Sequence, residues 1–164
     1  MNTRNTQGPL LMVACTGNIC RSPMAEAVLR YQLALRGVQA QVASCGLDAP
    51  VGRTPHKFAL QVNHDRGIPI AADKRSEACV SAALKHATVL LVMENHHRHT
   101  VLRRYPFASG KTFLLGHWQG REIADPLHEP LPAFEQVFDQ IDQGCSAWID
   151  HMLQAGLLPA PSHS

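Results

Sequence analysis

The chain has 164 residues, 45% of them hydrophobic, and a formal net charge of +2. That size and composition fit one domain around a single core, and the charge is too weak for a nucleic-acid surface. No apolar run reaches the length of a membrane span or a signal-peptide core, so a cytoplasmic protein without membrane insertion is expected.

Residues 1–9 are polar and read as a flexible N-terminus. Leu10 to Ala14 is a short, continuous apolar run, the pattern of a strand buried on both faces of a parallel sheet. Ala40 to Ala43 and Thr88 to Met93 behave alike, and Thr112 to Leu115 is a shorter fourth strand. Between them the period becomes helical. Met24, Ala27, Val28, Tyr31 and Leu35 share one face, with Ser22 as cap, Pro23 in the first turn and Gly37 at the end. Further helices are predicted over Pro55 to Asp65, Ser76 to His86 (capped by Ser76) and Glu94 to Arg104. Phe134, Val137, Phe138, Ile141, Cys145, Trp148, Ile149 and Met152 form the stripe of a long last helix, closed by Gly156 and Pro159. Residues 156–164 read as a flexible tail, leaving 10–155 as the domain. Strands alternating with helices predict an α/β domain with a four-stranded parallel sheet and helices on both faces.

Ligands in such folds bind beyond the carboxyl ends of the strands, which directs attention to Cys15-Thr16-Gly17-Asn18-Ile19-Cys20-Arg21-Ser22-Pro23. Cys15 and Arg21 bracket the turn between a buried strand and a helix. Successive N–H groups of Thr16, Gly17, Asn18, Ile19 and Cys20 form an anion-binding concavity, and the helix adds its positive N-terminal end. Gly17 and Asn18 tolerate left-handed angles. Arg21 offers a planar fork to two phosphate oxygens. The same positive surroundings favour the thiolate of Cys15 as nucleophile, with Ser22 as a hydrogen-bond donor to it.

Val13 to Glu26, VACTGNICRSPMAE, resembles the signature of the low-molecular-weight protein-tyrosine phosphatases. The resemblance extends over residues 10 to 152, through Ser44-Cys45-Gly46, Asp125-Pro126 and Phe134 to Trp148. It implies a flavodoxin-like fold and hydrolysis of phosphotyrosine through a phosphocysteine on Cys15. Asp125 would protonate the leaving phenolate and then activate water, with no metal and no cofactor. It also implies a Cys15–Cys20 disulfide that shields the nucleophile from over-oxidation, against a plain loop-filling role for Cys20. Asn18 and Ser44 resemble the pair that holds the loop by hydrogen bonds. Leu91-Val92-Met93-Glu94, Leu115-Gly116-His117-Trp118, Ile123-Ala124-Asp125-Pro126 and Ala49-Pro50-Val51-Gly52 resemble bacterial members that act on exopolysaccharide-associated tyrosine autokinases. The implied partner is the phosphotyrosine-bearing cytoplasmic domain of such a membrane kinase.

The chain departs from the family pattern at Leu127, where Tyr is usual, and at Pro50, where the rim often carries a larger side chain. The family's His that supports the loop has Asp73 as its best match. His96, His97 and His99 read as a solvated helix face rather than a metal site, and Trp118 and Trp148 as packing residues. An odd count of five cysteines argues against a secreted disulfide framework, and most of them read as small buried hydrophobes. Two competing functions use the same residues. Arsenate reduction needs a cysteine relay, for which Cys79 stands alone mid-chain, and the presence of Cys15, Arg21 and Asp125 together argues against a non-catalytic phosphotyrosine binder.

Overall fold

A computed structural model describes residues 8–162. Four strands, β1 (Leu10–Cys15), β2 (Gln41–Gly46), β3 (Val89–Val92) and β4 (Thr112–Leu114), form one sheet in the order β2-β1-β3-β4. All three pairings are parallel. Five helices follow the strands: α1 (Arg21–Leu35), α2 (Lys57–Asp65), α3 (Ser81–His86), α4 (Asn95–Arg104) and α5 (Leu131–Gln154). The chain runs outward from β1 to β2, then crosses back to β3. The carboxyl ends of β1 and β3 therefore flank the point where the winding reverses, the crevice in which open α/β sheets bind ligands.

Side chains alternate across each strand, and the two faces build two cores. Leu11, Val13 and Cys15 pack with Met24 and Val28 of α1, Val62 of α2, and Phe134 and Ile141 of α5. Met12 and Ala14 pack with Leu84 of α3 and Val101 of α4. The α5 stripe is buried along its length. Both rims of the sheet accept a side-chain donor from a helix: Arg30 Nη2 donates to Val42 O at 2.8 Å, and Trp148 Nε1 donates to Leu114 O at 3.0 Å. Among the described residues no helix is long and apolar enough to cross a membrane.

Four features differ from the sequence reading. Strand β2 runs to Gly46, because Ser44, Cys45 and Gly46 pair with Val13, Ala14 and Cys15 although they are too small and polar to look like core. The cap of α1 is Cys20, and Ser22 lies inside the helix with its hydroxyl turned to the loop. The third helix begins at Ser81 rather than Ser76. Residues 77–79 are instead drawn beside β2: Gly46 N–H donates to Glu77 O and Cys79 N–H to Gly46 O. Cys45 and Cys79, which fall under the reading of most cysteines as small buried hydrophobes, are joined in a disulfide with Cα atoms 4.9 Å apart. Cys145 does behave as a buried hydrophobe, and burial followed by the nearby Asp142 pushes its thiol well up.

Of the terminal segments, residues 1–7 and 163–164 lie outside the described residues. Between 156 and 162, Leu158 is buried in the core and Ser162 N–H donates to Gly37 O at 3.0 Å.

Candidate active site

The segment leaving β1 curls into a loop before α1. Its carbonyls turn outward and are taken by surrounding chain: Cys15 O accepts from Leu47 N–H, Thr16 O from Asp48 and Ile19 O from His56. That orientation leaves main-chain N–H groups of the loop for an anion at its centre. Asn18 makes the turn at φ 54°, an angle a non-glycine residue rarely adopts. The loop presses so closely on β2 that a Cβ on Gly46 would fall 2.7 Å from Thr16 O and 3.0 Å from Asn18 N. Only glycine admits that approach.

A buried hydrogen-bond chain fixes Cys15. Asn18 Nδ2 donates to Ser44 Oγ at 2.9 Å and to Ser22 Oγ at 2.8 Å. Ser22 Oγ lies 3.0 Å from Cys15 Sγ. With its oxygen accepting from Asn18, the one hydroxyl proton of Ser22 is available to the sulfur. The remaining polar atom, Asn18 Oδ1, accepts from Glu77 N–H at 3.0 Å. Asp73, the best sequence match for this support, does not supply it; the peptide group of Glu77 does.

Arg21 is almost fully buried and held from behind. Its Nη1 donates to Glu94 Oε2 at 2.6 Å and to Ile123 O at 2.7 Å. Both Nη1 protons are thereby used, leaving the Nε–Nη2 edge as the fork for a ligand. Asp125 Oδ2 stands 3.6 Å from Nη2, and its Oδ1 accepts from Leu127 N–H. The fold therefore brings Asp125 to the mouth of the loop. Cys15, Thr16, Gly17, Ile19, Cys20, Arg21, Pro50, Asp125 and Leu127 line a cavity of about 210 Å³. Its walls above the loop are aliphatic, from Ile19, Pro50 and Leu127. Cys20, beside Cys15 in this lining, is pushed up to about 12 by burial, then by the negative charges of Asp125 and Cys15. It is a protonated thiol at neutral pH.

Glu94 and His97 are site residues that the sequence reading did not identify. They form a reciprocal cap at the start of α4: the Glu94 side chain accepts from His97 N–H, and His97 Nδ1 accepts from Glu94 N–H. Burial raises the Glu94 carboxyl, but its bond to Arg21, the charge of Arg21, and His96 outweigh this and hold it below the usual range. His97 is buried rather than solvated. Since Nδ1 accepts, the ring proton sits on Nε2 and is donated to Thr16 Oγ1, 2.9 Å away. The available signal was Glu94-x-x-His97, a capping-box spacing with His in place of Glu. Ligand atoms of Glu94, His96 and His97 do lie within 4.8 Å of one another. Glu94 is paired with a buried cation and His97 Nδ1 with a peptide N–H, so the cluster favours loop support over metal ligation.

Burial, then Arg21 and His96, push His97 down to about 4. An unfolded chain protonates its histidine near the ordinary 6.5. Between those values the unfolded state binds a proton that the native state refuses. His97 therefore leaves stability whole above pH 6.5 and erodes it as pH falls toward 4, by at most about 3 kcal/mol. Urea unfolding of wild type and His97→Gln at pH 7, 6, 5 and 4.5 should show the variant with the flatter slope. Parallel slopes would mean that His97 takes up its proton in the native state as readily as in the unfolded one.

Residues 10–156 match the family described as low molecular weight phosphotyrosine protein phosphatase. The chain belongs to that family. It is an enzyme of this class, a phosphoric monoester hydrolase. It is similar to the probable low molecular weight protein-tyrosine-phosphatase EpsP of Ralstonia nicotianae, 35% identical over 89% of this chain and 97% of the relative. Among solved structures it is similar to the tyrosine phosphatase Wzb of Escherichia coli K30 in complex with sulphate, at 34% identity and a TM-score of 0.82, covering 88% and 99% of the two chains. It is also similar to the YwlE arginine phosphatase of Geobacillus stearothermophilus, at 30% identity and a TM-score of 0.81, covering 91% and 96%. This low molecular weight phosphatase thus has the flavodoxin-like α/β fold of its relatives.

Proposed function

We propose that the chain hydrolyses phosphotyrosine in proteins through a phosphocysteine on Cys15. The observation that carries this reading is the convergence of Cys15 Sγ, the free edge of Arg21 and the Asp125 carboxyl group, which enters the cycle protonated, on one small cavity. The phosphoryl group sits in the loop, its oxygens on main-chain N–H groups and on Arg21 Nε and Nη2. Cys15 sulfur attacks phosphorus as the bond to the tyrosyl oxygen breaks. Asp125 gives that oxygen a proton, because a phenol with a pKa of ~10 leaves poorly as the anion. Asp125, now a carboxylate, takes a proton from water as the water oxygen attacks phosphorus, the P–S bond breaks and thiolate returns. The Ser22 hydroxyl stabilises the sulfur anion at both ends of the cycle.

Cys20 is the natural resolving thiol. Peroxide oxidises the Cys15 thiolate to a sulfenic acid, and condensation with the Cys20 thiol forms a disulfide and releases water. The implied protein substrate is the tyrosine-phosphorylated cytoplasmic domain of a membrane autokinase serving exopolysaccharide export, which would place the enzyme in the cytoplasm.

Phosphoarginine is a second reading, favoured by the similarity to an arginine phosphatase. Ile19, Pro50 and Leu127 give an aryl ring aliphatic walls and offer a guanidinium no partner beyond Asp125, which favours tyrosine. Arsenate reduction fits less well: Cys45 is committed to Cys79 on the sheet face opposite Cys15, so neither is at hand for a relay. The experiment is phosphate release from matched phosphotyrosyl and phosphoarginyl peptides with a chelator present, with mass spectrometry of acid-quenched enzyme. Phosphorylated Cys15 and preferential tyrosine turnover are expected. Preference for the arginyl peptide would transfer the assignment, and turnover without a phosphorylated Cys15 peptide would remove the mechanism.

Asp125→Asn should slow phenyl phosphate on the order of 10²-fold and p-nitrophenyl phosphate much less, since general-acid help matters most for the poorer leaving group. Equal slowing of the two would show that Asp125 is not the acid.

A further inference from the structure

The Cys45–Cys79 disulfide plays no part in the chemistry at Cys15, yet each half adjoins the residues that hold the phosphate loop. Cys45 sits between Ser44, whose hydroxyl accepts from Asn18, and Gly46, against which the loop is packed. Cys79 lies two residues beyond Glu77, whose N–H donates to Asn18 Oδ1. The 77–79 segment belongs to no helix or strand. A single isolated bridge, Gly46 to Ala78, with its two main-chain hydrogen bonds, is its only backbone tie to β2. Glu77, Ala78 and Val80 are exposed and Cys79 is half-buried. Ahead of the segment, Ser76 bonds to Arg53 and Pro50 in a loop that is itself largely exposed. Ser76 itself is buried and exchanges main-chain bonds with Gly52 and Arg53, and Gly46 N–H holds Glu77 O; to these hydrogen bonds the disulfide adds the one covalent tie, among the described residues, between this segment and β2.

We infer that the Cys45–Cys79 disulfide is a redox-dependent strut of the phosphate loop: closed, it holds Glu77 N–H on Asn18, and opened by a dithiol reductant, it releases that support and lowers turnover. The inference rests on the reading of Cys15 as nucleophile. Asn18 is wholly buried in a left-handed conformation and is kept there by its bonds to Ser44, Ser22 and Glu77. Ser22 in turn faces the nucleophilic sulfur. Loss of the Glu77 bond removes one of the three bonds that hold Asn18 and loosens the partner that orients the Ser22 proton. In the opening step a dithiol supplies two electrons and two protons; Cys45 and Cys79 become thiols and the reductant becomes a disulfide. Of the two, Cys79 is the less buried residue and the side from which a reductant would attack.

The test uses the full chain with Cys15 and Cys20 free and Cys45–Cys79 closed, a state verified by alkylation and peptide mapping. kcat and KM for p-nitrophenyl phosphate are measured before and after dithiothreitol, beside Cys45→Ala/Cys79→Ala and the milder Cys79→Ser. A second readout is the rate of Cys15 alkylation by iodoacetate at pH 6. Opening should lower kcat about 5- to 10-fold, the weight of one hydrogen bond, with KM nearly unchanged and alkylation slowed in step. The variants should match the opened form and ignore dithiothreitol. Equal kcat and alkylation rates in closed, opened and variant forms would overturn the strut, as would free thiols at Cys45 and Cys79 after exposure to oxidised glutathione. A closed form that binds phosphate but never releases it from substrate would instead overturn the reading of Cys15.

Discussion

Cys15→Ser is expected to cut phosphate release from p-nitrophenyl phosphate by on the order of 10⁴-fold or more while leaving inorganic phosphate binding nearly intact. The hydroxyl is close in size and leaves the loop N–H groups and Arg21 where they are, but at neutral pH it carries almost no anion with which to attack phosphorus. The loss should appear in kcat, because the groups that bind the phosphoryl oxygens are untouched. Calorimetric titration with phosphate beside steady-state kinetics separates the two. A residual rate within about a hundred-fold of wild type would assign the nucleophile elsewhere.

The second large effect is at Arg21. Lysine there keeps the charge and loses the fork. Arg21 makes two bonds at once to Glu94 Oε2 and Ile123 O and still presents an edge to the cavity. An ammonium can reach back to Glu94 or forward to phosphate, but its point charge cannot bridge both. Arg21→Lys should lower kcat/KM by on the order of 10³-fold. It should also cost roughly 1–3 kcal/mol of stability, because a buried carbonyl or carboxylate is left unpaired. Kinetics and urea unfolding on one preparation test both halves. A variant within ten-fold of wild type would mean that the loop N–H groups alone carry the phosphate.

The fold was legible where burial imposes a simple pattern. Strands β1 and β3 are buried on both sides and read as unbroken apolar runs, and α5 shows its stripe because one face meets the core for its whole length. Legibility failed where a tertiary contact overrode the local pattern. Residues 76–80 have helical character but are drawn alongside Gly46, so α3 starts late. Ser22 has the chemistry of a cap, but the positive end of α1 faces the phosphate loop and the hydroxyl serves Cys15 instead. Within the site, Cys15 and Arg21 are six residues apart and their relation is local. Asp125 lies about 110 residues away, and no pattern in the chain alone could bring it to the loop; the family resemblance suggested it and the fold brings it there. Glu94, His97, the Ile123 carbonyl and the Glu77 N–H support the loop from segments distant in sequence, two of them through main-chain atoms whose role no side chain encodes.

The side chains at the two rims of the sheet bear on how the protein behaves in crowded solution. An open parallel sheet offers unpaired peptide groups along its outermost strands, ready to recruit a strand from another molecule. Here Arg30 occupies one carbonyl on β2 and Trp148 one on β4, so each rim carries a donor that cannot continue a ladder. The two residues thus work against edge-to-edge pairing of sheets, a task separate from the chemistry at Cys15.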